Sequence, residues 1–167
     1  MPADNLQILG ILNVTSDSFS DGGRFFDTAD AVAHGRQLIA DGADIIDIGA
    51  QSTNPDAEYI TAQQELERLT PVVEQLKTEG FRISVDTFRP QVMRAMVAAG
   101  AEFVNDVTAL RDPEAVAAVR DCGARVILMH STAAAARAER AEVSAAGMVD
   151  RILAFFERRL AELEAAG

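Results

Sequence analysis

Five short apolar runs in this 167-residue chain end in, or carry, a polar side chain able to bind or catalyse. "ILGILN" ends in Asn13, "DIIDIG" carries Asp47, and "ISVD" ends in Asp86. "FVND" ends in Asn105 and Asp106, and "RVILMH" in His130. Taken singly, such residues cap the next helix or hold a turn. Together, at the same end of successive strands, they point to a site. The set holds carboxylates and amides but no Ser-His-Asp arrangement, no paired histidines and no H-E-x-x-H, which argues against the familiar hydrolytic and zinc chemistries. A carboxylate beside an amide suits the edge of an amino-pyrimidine-like ring, which presents adjacent N–H donors and an acceptor.

The elements that must position these residues follow from periodicity. Strands are expected over 7–13, 44–50, 82–86, 102–106 and 125–130, each short, apolar and bounded by turn signals. Helices are expected between them, over 27–42, 61–80, 89–100 and 112–123, with an amphipathic one over 148–166. Asp27 reads as an N-cap, Gly42 as a left-handed C-terminal residue, and Thr61 with Gln64 as a capping box. Pro71 should kink or interrupt its helix. Residues 131–147 read as loop with partial helix, and His34 as a surface residue. A weak internal echo, "GADIIDI", "GAEFVND" and "GARVILM", places a glycine before three of the strands.

The resulting βαβαβαβαβα order means a parallel sheet covered by helices, an α/β fold. No G-x-G-x-x-G follows the first strand, so a doubly wound dinucleotide fold loses ground to a (β/α)₈ barrel. Five units are present, so the expectation is a partial TIM (β/α)₈ barrel: its first five βα units, as a single truncated domain over 1–167.

Bulk properties narrow the function. A net charge of −11 argues against general nucleic-acid binding and favours a soluble cytoplasmic protein. Cys122 is the single cysteine, which excludes a disulfide framework and a multi-cysteine metal site. The N-terminus lacks a basic segment followed by an apolar one, and no apolar run reaches membrane-spanning length, so neither a signal peptide nor a membrane helix is expected.

"ILNVTSDSFSDGG", "DIIDIGAQSTNP", "ISVDT" and "VNDV", in this order and spacing, resemble the dihydropteroate synthase family of pterin-binding barrels, from about residue 7 to His130. The resemblance implies condensation of 4-aminobenzoate with a dihydropterin bearing a CH₂-diphosphate, releasing diphosphate in folate synthesis. It implies Mg²⁺ as cofactor, with Asn13 at the metal. The first loop, with Thr15, Asp17, Ser18, Phe19, Asp21 and Gly22, would fold over the site as a lid and help form the aminobenzoate pocket. Thr53, beside Ser52, would contact substrate, while Asp86 and Asn105 would read the pterin ring; Asp47 joins them as a substrate-binding candidate from the rim.

Four departures stand out. Ser16 replaces the family's proline, and the second loop reads Gln51-Ser52-Thr53-Asn54-Pro55-Asp56 in place of E-S-T-R-P-G. "STAAAARAERAE" follows His130 where the family has M-Q-G-x-P, and the family's later D-P-G-x-G-F-G-K, S-R-K and R-x-H segments have no counterpart. The expectation is a fragment of a synthase that is inactive alone. The alternatives are a non-catalytic pterin-binding homologue closing its sheet edges as a homodimer, one part of a split enzyme, and a pterin-dependent methyltransferase.

Overall fold

Short apolar runs alternating with helix-length amphipathic stretches fold here as strict βα alternation. The computed structural model describes residues 6–15, 28–51, 59–131 and 146–167. Its elements are β1 (Leu9–Asn13), α1 (Thr28–Ala40), β2 (Ile45–Gly49), α2 (Ala62–Thr78) and β3 (Ile83–Asp86), then α3 (Pro90–Ala98), β4 (Phe103–Asp106), α4 (Pro113–Cys122), β5 (Arg125–Leu128) and α5 (Met148–Ala166). All five expected strands form, trimmed at one or both ends; the Asp27 cap and most of the 131–147 segment lie outside the described residues.

The strands lie in the order β1-β2-β3-β4-β5, every neighbouring pair parallel. A doubly wound sheet reverses its order at a switch point; this one does not. Consecutive helices α1 to α4 pack against one another, with α1 on β1 and β2, α2 on β2 and β3, and α3 on β4. This is the progression of a TIM barrel through its first five βα units.

Local chemistry explains the boundaries. Thr61 and Gln64 form the expected capping box, the Gln64 amide donating to Thr61 Oγ1 at 3.2 Å and the Thr61 amide to Gln64 Oε1 at 2.8 Å. The Asp112 side chain caps α4 by accepting from the Glu114 amide at 2.9 Å. Gly42, Gly100 and Gly123 all take positive φ, which accounts for the glycine echo before β2, β4 and β5. Of the kink or interruption expected at Pro71, the interruption does not occur: α2 continues through it to Thr78. Leu69, Val72, Val73 and Leu76 surround that proline and are each fully buried. At roughly 1.5–3 kcal/mol per buried aliphatic side chain, they outweigh the roughly 3 kcal/mol that an interior proline costs.

Register divides the sheet into two faces, since successive side chains point opposite ways. Leu12, Ile46, Ile48, Ile83, Val85 and Val104 face the helices and are fully buried. The opposite face carries Ile11, Asn13, Asp47, Gly49, Ser84, Asp86, Phe103 and Asn105, with Arg125 and Ile127 from β5.

The fifth unit is looser. β2 is buried along its length, whereas β5 contains no buried residue. α5 has none either, and grooves of about 300 and 270 Å³ separate it from α4 and β5. It is nevertheless anchored. Arg159 Nε donates to the Ala109 carbonyl at 2.8 Å, and another guanidinium nitrogen donates to the Leu110 carbonyl.

Candidate active site

The sheet face opposite the described helices α1 to α4 is polar where its strands end. Asn105 Nδ2 donates to Asp47 Oδ2 at 2.8 Å, joining β4 to β2 across β3. Two inter-strand spacings amount to about 9–10 Å in a flat sheet, so the face is concave enough for short side chains to meet over the intervening strand. The donor must be the amide nitrogen, because an ionised carboxylate only accepts.

Asp86, at the end of β3, lies beside this pair and pairs in register with Gly49 on one side and Asn105 on the other. A Cβ at position 49 would stand 3.2 Å from Asp86 Cβ and 3.4 Å from its Oδ2. The bare backbone of Gly49 therefore makes the room that the carboxylate occupies. Burial pushes the Asp86 carboxyl up to about 7, with further repulsion from Asp47, Asp106 and Glu65. Beneath it, Asp47 Oδ1 and Ser84 Oγ are buried with no hydrogen-bond partner. Native proteins rarely leave such groups unsatisfied. Here they are donor and acceptor capacity on the concave face.

Three residues expected on the rim are placed otherwise. Asp47 lies in the middle of β2, two residues before its end, and so forms floor more than rim. Asp106 points to the helix-facing side, because it follows Asn105 in an extended strand. Its buried carboxylate accepts from the Thr108 amide at 2.7 Å, the Thr108 hydroxyl at 2.8 Å and the Leu110 amide at 2.8 Å, so it builds the β4–α4 turn. His130 lies beyond the end of β5, its ring edge-on to Phe155 with centroids 4.9 Å apart. His34 is exposed on α1, as expected.

Residues 9–167 match the sequence profile of the family described as "Pterin binding enzyme". The chain belongs to that family. Among similar proteins, dihydropteroate synthase type-3 of Escherichia coli is 39% identical over 161 residues, which is 96% of this chain and 61% of the relative. Dihydropteroate synthase of Mycobacterium leprae is 46% identical over 126 residues, 75% of this chain and 44% of that protein. A structure of Xanthomonas albilineans dihydropteroate synthase with 4-aminobenzoic acid superposes on the whole chain at TM-score 0.85 and 43% identity, and the chain covers 59% of it. The same enzyme in complex with 7,8-dihydropteroate gives 0.82 and 42%, with 58% covered. The chain thus spans about three-fifths of the Escherichia coli relative and of the Xanthomonas albilineans structure, and less than half of the Mycobacterium leprae relative.

Asn13 ends β1 on the concave face and is exposed. No group of three or more His, Cys, Asp or Glu side chains able to hold a metal exists among the described residues. One amide oxygen suits Mg²⁺ only as a partial ligand set, completed by phosphate oxygens and water. Thr15 follows β1 and is half-buried; Asp17, Ser18, Phe19, Asp21 and Gly22 of the first loop, and Ser52 and Thr53 of the second, lie outside the described residues.

Sequence reasoning missed a cluster at the base of the second loop. The Arg89 guanidinium donates to the fully buried Glu65 carboxylate and, at 2.6 Å, to the Ile60 carbonyl. Its charge also lies 4.6 Å from the centre of the Phe88 ring. The Ile60 amide donates to Gln51 Oε1 at 3.0 Å. Gln51 thereby fills a structural acceptor role that either an amide or a carboxylate oxygen can serve. One available signal was a charged residue on the apolar side of α2: Glu65 lies four residues before Leu69.

Proposed function

We propose that this chain forms the pterin-reading part of a dihydropteroate synthase. The observation that carries the reading is the concave cluster of Asp47, Asp86 and Asn105, with its unspent acceptor on Asp47. An aminopyrimidine edge has adjacent N–H donors that a carboxylate can accept, while the free oxygen of Asn105 adds a further acceptor. The reaction breaks the C–O bond between the pterin methylene and diphosphate, forms a C–N bond to 4-aminobenzoate, and releases a proton from the amine. Positive charge develops on the methylene as diphosphate leaves. A pterin held by a carboxylate is electrostatically suited to that charge, and the neutral arylamine needs no strong base.

Asn13 would hold Mg²⁺ together with the diphosphate. Bound there, the metal would neutralise the leaving group's charge. Thr15, Asp17, Ser18, Phe19, Asp21 and Gly22 are assigned to the lid, and Ser52 and Thr53 to substrate contact, on the resemblance of their loops. Residues 1–167 act as one pterin-binding domain in this reading.

The test is calorimetry of the chain with a 7,8-dihydropterin, alongside Asp86→Ala and Asn105→Ala. Dihydropteroate formation is assayed in parallel on the chain extended by the C-terminal part of the Xanthomonas albilineans enzyme. Binding that each substitution weakens at least tenfold, with dihydropteroate made by the extended protein, is expected. Absence of both binding and product overturns the reading, as does transfer of a methyl group in place of the pterin methylene.

A further inference from the structure

The β4–α4 turn holds two adjacent non-glycine residues in the left-handed region, Ala109 at φ 57° and Leu110 at φ 55°. Such conformations persist only where the surroundings over-determine them. Here they are held from both sides. On the donor side, the buried Asp106 carboxylate takes the Leu110 amide and both the amide and hydroxyl of Thr108, while the Asp106 carbonyl takes the Ala109 amide at 3.0 Å. On the acceptor side, Arg159 of α5 grips the carbonyls of both left-handed residues. The Arg159 guanidinium is itself braced by Glu162 at 2.7 Å and is mostly shielded from solvent. This contact reaches about fifty residues along the chain, and it is far more specific than the loose packing of the rest of α5.

The residue just before this clamp is Asn105. Asp106 and Asn105 share one peptide and point to opposite faces, so fixing the first fixes the second. We propose that Arg159 is a positioning residue: by holding the left-handed turn at Ala109 and Leu110, it sets the end of β4 and thereby the Asn105 amide against Asp47. The functional meaning of that placement rests on the pterin reading above, whereas the placement itself does not.

The experiment uses the 167-residue chain with Arg159→Met and Arg159→Lys, each alone and combined with the pair Ala109→Gly and Leu110→Gly. Glycine takes positive φ without steric cost, so a turn that needs Arg159 when built from Ala and Leu should not need it when built from glycine. The first readout is the Asn105 side-chain amide NMR signal, with hydrogen exchange of the Leu110 amide; the second is dihydropterin affinity. Melting temperature controls for general damage.

Arg159→Met is expected to speed Leu110 exchange at least tenfold, shift the Asn105 side-chain signal and weaken pterin binding about fivefold or more. Arg159→Lys, which offers a single point charge, should fall between. The glycine pair should restore the Asn105 signal and bring affinity to within about twofold of the parent. An unmoved Asn105 signal in Arg159→Met, or failure of the glycine pair to restore it, overturns the proposal. If Arg159→Met does not fold, Arg159→Lys with and without the glycine pair decides by the same criterion. A parent chain that binds no dihydropterin counts against the pterin reading alone, because the Asn105 signal and the exchange rate report the clamp without ligand.

Discussion

The two faces of this sheet are made by the same strands and follow opposite rules. Toward the helices, Leu12, Ile46, Ile48, Ile83, Val85 and Val104 are sealed from water by α1 to α4. On the other face Ile11 is 64% exposed, Asp86 carries a carboxyl shifted to about 7, and Asp47 and Ser84 hold unbonded buried oxygens. One face is where folding free energy is gained. The other retains groups that cost stability until something binds them.

The largest expected contrast tests that division directly. Leu69→Ala, in the fully buried layer, should destabilise by about 2–5 kcal/mol through lost burial and the cavity left behind. Ile11→Ala, on the bare face, should change stability by less than about 0.5 kcal/mol. Urea unfolding of both variants checks this, and similar losses would dissolve the distinction.

The next effect has the opposite sign. The native state binds the Asp86 proton more tightly than the unfolded chain does, because its carboxyl is raised from 3.8 to about 7 by burial and by Asp47, Asp106 and Glu65. Stability contributed at this residue is therefore lost as pH rises between those values and is level above them. The full loss is about 4 kcal/mol at most. Asp86→Asn should abolish that slope, unfold at higher denaturant than the parent at pH 8, and lose dihydropterin binding. A parent profile without the decline, or a variant less stable at pH 8, would contradict the assignment of strain to this face.

The smallest effect sharpens the picture at one atom. Gly49→Ala places a methyl 3.2 Å from Asp86 Cβ, so Asp86 must give by a few tenths of an ångström from its Cβ outward, and its carboxylate moves with it. Stability should change by about 1 kcal/mol or less, while dihydropterin affinity falls severalfold. Equal losses in both would mean that Gly49 serves packing more than the site.

How much of this could be read from the residues varies by element. Strands and helices were legible because apolar runs end at Asn, Asp and Gly, and because caps such as Thr61 with Gln64 act within one turn. The concave cluster was legible as a set, since Asp86 and Asn105 lie at the ends of neighbouring strands, Asp86 last in β3 and Asn105 last but one in β4. The rim pattern takes both members of the Asn105–Asp106 pair and only the resemblance singles out Asn105; the register places Asn105 on the concave face. The same pattern places Asp47 too near the rim. That α2 would continue through Pro71 was not legible, because the local cost of proline is visible in a sequence and the tertiary burial around it is not. Arg89 and Arg159 were invisible, since each acts on carbonyls or carboxylates that are remote along the chain.

The strand order carries one more consequence. Each strand after β1 pairs with the one made just before it, and no pairing among the described strands skips an intervening strand. Such nearest-neighbour wiring keeps loop-closure costs low. On a ribosome delivering about 5–20 residues each second, every new βα unit meets a finished template. The chain can thus be laid down in the direction it is read, one unit zipping onto the last, with β1 as the seed.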